Sequence, residues 1–174
     1  MAETPKERVV RYLQDAHAAA TGADQALQGY VDDTDDPAIK AVFSQNRTAT
    51  QAEAQRLDAR LRALGEEPSG GKGFLNTVMA KVSELMHGAH DEYDKNTQNI
   101  IKAYALAHLE RGMYQSLYSY SSAIGDPETA ALAQTLQGEN EAAAARLFPL
   151  IDTYAKTALL GTAGVGTTPA AYTA

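Results

Sequence analysis

One carboxylate of this sequence lies on a helical face that is otherwise almost entirely apolar. In the segment AHLERGMYQSLYSY, Glu110 shares its predicted face with residues three, four and seven positions away, which are Ala103, Leu106, Ala107, Met113, Tyr114 and Leu117. Residues at these spacings form one stripe of an α-helix. Burying an unpaired charge is costly, so Glu110 needs a polar partner from another helix.

The other predicted helices have similar interruptions near their centres. The polar residues concerned are His17 and Asp24 in the first helix, Thr50, Gln51 and Glu53 in the second, and Glu139 in the fourth. One such interruption would be ordinary. Interruptions at a similar depth in four helices predict a polar layer that crosses the interior, because buried charges need partners.

Two kinds of layer fit this pattern. Carboxylates and an imidazole on facing helices could ligate iron or manganese. Alternatively, the same side chains form a hydrogen-bond network that sets the register of the helices. The residue types allow both interpretations.

Composition excludes several classes of function. The 174 residues include no Cys, which excludes disulfides, thiolate metal sites and cysteine nucleophiles. The net charge of −7 argues against a protein that binds the phosphate backbone of nucleic acids. The N-terminal residues lack the apolar segment of a secretory signal, and no apolar run reaches the roughly 20 residues of a membrane span. A cytoplasmic protein is therefore expected.

Apolar periodicity and helix-ending residues predict four long helices. They extend from about Pro5 to Val31, from Pro37 to Leu64, from Asp94 to Ser121, and from Pro127 past Leu147, with a kink expected at Pro149. Short links join the first pair and the last pair, whereas about 30 residues separate the second and third helices. A long crossover at this place is typical of ferritin-like bundles, and an amphipathic stretch within it predicts a short extra helix. The expected division is a bundle over residues 5–160 and a Gly/Ala/Thr-rich tail over 161–174.

Four segments resemble the YciF-like bacterial stress proteins, a branch of the ferritin-like superfamily. In chain order they are YLQDAHAAA, RLDARLRALGEEP, AHLERGMYQSL and TLQGENEAAAARL, and the resemblance covers about residues 8–155. It implies an all-α, ferritin-like four-helix bundle and, for an intact member, a di-iron centre with ferroxidase or peroxidase-type activity.

The sequence departs from the ligand pattern of that family. The resemblance places His17 where the first helix has a glutamate, and Thr48 and Gln51 where the second has Glu-x-x-His. The sequence keeps two carboxylates of the family pattern, Glu110 and Glu139. The site expected from the resemblance is therefore degenerate, and its candidate ligands for iron or manganese are the retained Glu110 and Glu139 together with the substituted His17, with Gln51 and Glu53 nearby.

Two functions follow as expectations. The first is a stress-associated ferritin-like protein with a degenerate di-iron site, which acts in a structural or assembly role rather than as an enzyme. The alternative is a redox protein that binds iron or manganese at the reduced carboxylate and histidine site. Self-association as a dimer or larger homo-oligomer is expected from an Ala-rich helix face and the amphipathic crossover, and the tail is a candidate for docking on a neighbour or a protein shell. A nucleic acid partner is not expected, since the chain lacks a basic tail.

Overall fold

The computed structural model describes residues 3–68, 80, 88–89 and 91–162. Its four helices are α1 (Pro5–Asp33), α2 (Pro37–Ala63), α3 (Glu92–Ala123) and α4 (Pro127–Thr162). The described ranges contain no β-strand. The predicted all-α fold and the positions of the four helices are therefore confirmed.

Local sequence explains where these helices begin. Thr4 and Glu7 form a capping box at the start of α1, in which each side chain accepts a hydrogen bond from the other residue's backbone N–H. Asp36 caps α2 by accepting from the N–H groups of Ala38 and Ile39. A proline follows both caps, at the first-turn position where its missing N–H costs no hydrogen bond.

Glycines with a positive φ follow the ends of α2 and α3. Gly65, after α2, has φ of 79°, and Gly125, between α3 and α4, has φ of 75°. Side chains with a Cβ rarely adopt this left-handed conformation, so both positions favour glycine.

The packing of the helices gives the bundle its topology. One apolar cluster joins the start of α1 to the ends of α2 and α3 and the start of α4, and includes Leu13, Leu61, Leu117 and Leu136. A second cluster joins the opposite ends and includes Leu27, Phe43, Ile100 and Leu147. Helices α2 and α3 are consequently parallel to each other and antiparallel to α1 and α4, as predicted from the long crossover.

Several expectations fall partly or wholly outside the described residues. The short extra helix of the crossover corresponds to a segment in which only residues 80, 88 and 89 are described. The tail from residue 163 onward is also outside them. The fourth helix does continue through Pro149 to Thr162. None of the described helices has the length and hydropathy required to cross a membrane.

Candidate buried carboxylate site

A polar layer lies between the two apolar clusters, and α2 contributes Glu53 to it. Glu53 is only 3% exposed. It lies on the inward stripe of α2, whose buried members are Ile39, Phe43, Asn46, Thr50, Glu53, Leu57 and Leu61. These spacings of three and four residues turn Glu53 toward the other helices.

Helix α3 contributes Glu110 and Tyr114. Glu110 is 3% exposed and Tyr114 is completely buried, one turn further along the helix. The burial of Glu110 confirms the prediction from its apolar stripe.

The contribution of α4 is Asn140, which is 4% exposed. It lies on the same helical face as the buried residues Ala133, Leu136, Ala144 and Leu147. Its neighbour Glu139 is about 100° away around the helix and has a side chain that is 40% exposed. The inward polar group of α4 is therefore an amide and not a carboxylate.

Glu53 is the centre of a hydrogen-bond network that joins three helices. Its Oε2 atom accepts a hydrogen bond from Tyr114 Oη at 3.0 Å and another from Asn140 Nδ2 at 2.9 Å. Asn140 Nδ2 also donates to the backbone oxygen of Leu136 at 3.3 Å. These donors stabilise a charged Glu53 carboxylate and hold it in one orientation.

Glu110 has a different environment. Its Oε1 atom is buried and has no hydrogen-bond partner among the described residues. Burial raises the pKa of Glu110 well above its ordinary value, and the negative charge of Glu53 raises it further. Burial also raises the pKa of Glu53, but the hydrogen bonds from Asn140 and Tyr114 oppose that effect.

The two carboxyl groups therefore differ in their tendency to ionise. Since two neighbouring buried carboxylates repel each other, ionisation of one opposes ionisation of the other. Glu53 has hydrogen-bond donors that favour its charged form, whereas burial favours the neutral form of Glu110. Burial and the nearby carboxylates raise the pKa of Tyr114 well above its ordinary value, and its hydroxyl remains a donor.

A small cavity of about 20 Å³ adjoins this pair. It is lined by Ala23, Leu27, Asn46, Ala49, Thr50, Glu53, Ala103, Leu106, Ala107, Glu110, Glu139, Asn140, Ala143 and Leu147. Helix α1 contributes only Ala23 and Leu27 to it, so this helix supplies no ionisable group to the cavity wall.

The structure places the residues of the predicted metal site in different environments. His17 is half-buried on α1. Burial lowers the pKa of His17, whereas the Asp58 carboxylate raises it. Glu139 lines the cavity, but its carboxylate forms an ion pair with Arg56. The distance from Arg56 Nη1 to Glu139 Oε1 is 2.9 Å. Gln51 donates to Asp24 of α1 at 2.9 Å.

His17, Glu110 and Glu139 are consequently not brought together as one ligand group. Over the described ranges, no group of three or more His, Cys, Asp or Glu side chains has an arrangement that could hold a metal ion. Metal binding by the predicted residues stays a prediction that solution measurements must test.

The register of α2 and α4 differs from the one implied by the resemblance. Thr48 is exposed, and the inward carboxylate of α2 is Glu53, which is followed three residues later by Arg56. On α4 the inward polar residue is Asn140, which is followed three residues later by Ala143. A di-iron cage takes a glutamate from each of two helices and Glu-x-x-His from each of the other two. The residues present do not fit such a cage, because arginine and alanine supply no metal ligand.

Asn140 and Arg56 were not identified from the sequence as members of this site. The sequence did contain a signal for Asn140. It shares a helical stripe with Ala133, Leu136, Ala144 and Leu147, and this apolar stripe is longer than the one that includes Glu139. Arg56 carried no such signal, because an arginine beside a polar helix centre is usually a solvent-facing residue.

Comparisons with known proteins agree with this architecture. A structure from Xanthomonas campestris is 23% identical, covers 91% of this chain and 99% of its own, and superposes with a TM-score of 0.78. The stress protein YciF of E. coli is 16% identical, with coverages of 89% and 99% and a TM-score of 0.77.

A Rhodobacter capsulatus bacterioferritin, described as having a metal-free dinuclear site and haem iron, is 15% identical. The coverages are 93% of this chain and 94% of that one, and the TM-score is 0.68. The likeness establishes a ferritin-like fold. Comparison with curated protein sequences gave no match.

The profile of one protein family, described as a domain of unknown function and designated DUF892, matches residues 4–159. This match extends over all but the ends of the chain. The protein therefore belongs to the DUF892 family and has the ferritin-like fold of its YciF-like structural neighbours.

Proposed function

We propose that this chain is a stress-associated ferritin-like protein with a degenerate di-iron site, and that it acts in a structural or assembly role. The proposal rests on the partners of the two inward carboxyl groups, Glu53 and Glu110. Glu53 accepts from Tyr114 and Asn140, and Glu110 is adjacent to it with no cationic partner among the described residues. Hydrogen bonds thus hold Glu53, and burial favours the neutral form of Glu110, where a cage would balance both charges with metal ions.

Arg56 supports the same proposal. It lies three residues after Glu53, the spacing at which a Glu-x-x-His motif would supply an imidazole, and its guanidinium is permanently charged and has no free lone pair. A cation at this position opposes the binding of a second cation. The ion pair with Glu139 holds the guanidinium beside the layer, and its positive charge favours the ionised form of Glu53.

The stress association rests on the similarity to YciF, whose description names it a stress protein. The structural role rests on the hydrogen-bond network centred on Glu53, because a network of this kind fixes the register of helices without chemistry. A cytoplasmic location is part of the proposal.

Metal analysis tests the central claim. Protein purified without chelators should contain much less than one equivalent of iron or manganese per chain, and should not accelerate oxidation of Fe(II) by oxygen. Stoichiometric metal bound with a dependence on Glu110 would instead support the alternative, a redox protein using a reduced carboxylate site.

A gain-of-ligand variant provides the matched control. The triple substitution Arg56→His, Asn140→Glu and Ala143→His restores Glu-x-x-His on α2 and α4. Because the backbone has the ferritin-like arrangement, this variant should bind more iron than the wild type under identical conditions. Equal binding by both proteins would count against the assignment of these positions as former ligand sites.

We also propose self-association. The supporting surface on α4 now includes exposed apolar side chains besides the Ala-rich segment identified from the sequence. Of the alanines in NEAAAAR, Ala144 is buried in the monomer, whereas Ala142 and Ala145 are exposed. Large apolar side chains are exposed elsewhere on α4, since Phe148 is 62% and Leu159 70% exposed. Exposed apolar surface of this kind favours association. Light scattering at micromolar concentration should give a mass above 18.6 kDa, and a monomer mass would refute the proposal.

A further inference from the structure

Two buried polar atoms beside the cavity have no hydrogen-bond partner among the described residues. They are Oε1 of Glu110, on α3, and Nδ2 of Asn46, on α2. The residues are 3% and 5% exposed, so bulk water does not solvate them freely. Buried polar groups are normally satisfied by protein or by ordered water, which makes two unpartnered atoms at one cavity a specific feature.

Arg146 determines which end of the Asn46 amide is free. Its Nη2 atom donates to Oδ1 of Asn46 at 3.4 Å, so the oxygen is the end engaged by the guanidinium. The free end is the nitrogen, which is a donor. The opposite orientation of the amide would place two donors against each other.

The cavity has the size and polarity of a hydration site. Asn46 and Glu110 both line it, as do the buried polar residues Thr50 and Glu53. Its volume is about 20 Å³, and a buried water needs roughly 10–15 Å³ on the same measure together with two to four polar partners. The alanines around it provide space but no hydrogen bonds.

We propose that this cavity is an internal water site, in which one water accepts a hydrogen bond from Asn46 Nδ2 and donates one to Glu110 Oε1. Water suits the site better than a cation, because the Asn46 N–H presents a positive hydrogen and Glu139, the third carboxylate of the lining, is paired with Arg56. The inference rests on the proposed function, since it assigns to water the space that metal ions would occupy in an intact cage.

A high-resolution crystal structure of the full chain, grown without added metal, tests the site. Support would be an electron-density peak about 2.7–3.2 Å from both Asn46 Nδ2 and Glu110 Oε1, without anomalous signal. An empty cavity would overturn the water site and leave the proposed function intact. A peak with anomalous signal and ligand distances of about 2.0–2.2 Å would overturn both.

A solution measurement uses the matched pair Ala143→Val and Ala142→Val. Ala143 lines the cavity, whereas Ala142 is exposed, and both substitutions carry the same cost in helix propensity. Displacing a bonded water leaves Glu110 and Asn46 unsatisfied, so Ala143→Val should have a lower Tm than Ala142→Val. Filling a dry cavity would instead improve packing, and an equal or higher Tm for Ala143→Val would contradict the inference.

Discussion

Replacing Glu110 with glutamine should change how the stability of this protein depends on pH. Glu110 is 3% exposed, and burial together with the charge of Glu53 raises its pKa well above the ordinary 4.5. The folded state therefore binds a proton that the unfolded state releases above pH 4.5. This contribution to stability is fully present below the unfolded pKa and is lost as the pH rises toward the folded pKa.

The magnitude follows from proton linkage. Each pH unit between the unfolded and folded pKa values lowers the free energy of unfolding by about 1.4 kcal/mol. The decline in the wild type continues up to the folded-state pKa of Glu110, which burial raises well above 4.5. Glutamine keeps the shape and the acceptor oxygen but does not ionise, so Glu110→Gln should lack this decline.

Urea denaturation followed by the helical circular dichroism signal at pH 5, 6, 7 and 8 measures the effect. The free energy of unfolding of the wild type should fall relative to that of Glu110→Gln as the pH rises. Glu141→Gln is the control, because its side chain is 63% exposed and should leave the pH dependence unchanged. Parallel pH profiles for wild type and Glu110→Gln would refute the reasoning, since they would mean that Glu110 is not the group holding the proton.

Three further substitutions test the contacts around the layer and the helix ends. Tyr114→Phe removes the buried hydroxyl that donates to Glu53 and should lower the free energy of unfolding by about 1.5–3 kcal/mol in urea titrations. Arg56→Ala should cost less than about 1 kcal/mol in the same assay, because its ion pair with Glu139 is more than one-third exposed. Asp36→Ala removes the N-cap of α2 and the acceptor of the Tyr154 hydroxyl, and should lower Tm measured by circular dichroism by several degrees, corresponding to about 1–2 kcal/mol. Equal effects of Tyr114→Phe and Arg56→Ala would contradict the assigned difference in burial.

Much of the fold was predictable from the sequence, since helix ends and amphipathic faces depend on neighbouring residues. Pro5, Pro37 and Gly65 marked helix boundaries through backbone preferences that operate within a few residues. The unequal lengths of the links indicated which helices run parallel. Glu110 was identified as buried because its apolar neighbours on α3 are unambiguous.

The membership of the polar layer was decided only by tertiary structure. The centres of α2 and α4 have adjacent polar residues, and each residue along a helix turns the side chain by about 100°. Whether Gln51 or Glu53 points inward, and whether Glu139 or Asn140 does, depends on how each whole helix is rotated against its neighbours. Packing of Phe43, Leu57 and Leu61 on one helix and of Leu136 and Leu147 on the other turns Glu53 and Asn140 toward Glu110. The burial of Glu110 was thus a property of its local sequence, whereas its partner was selected by apolar contacts between helices distant in the chain.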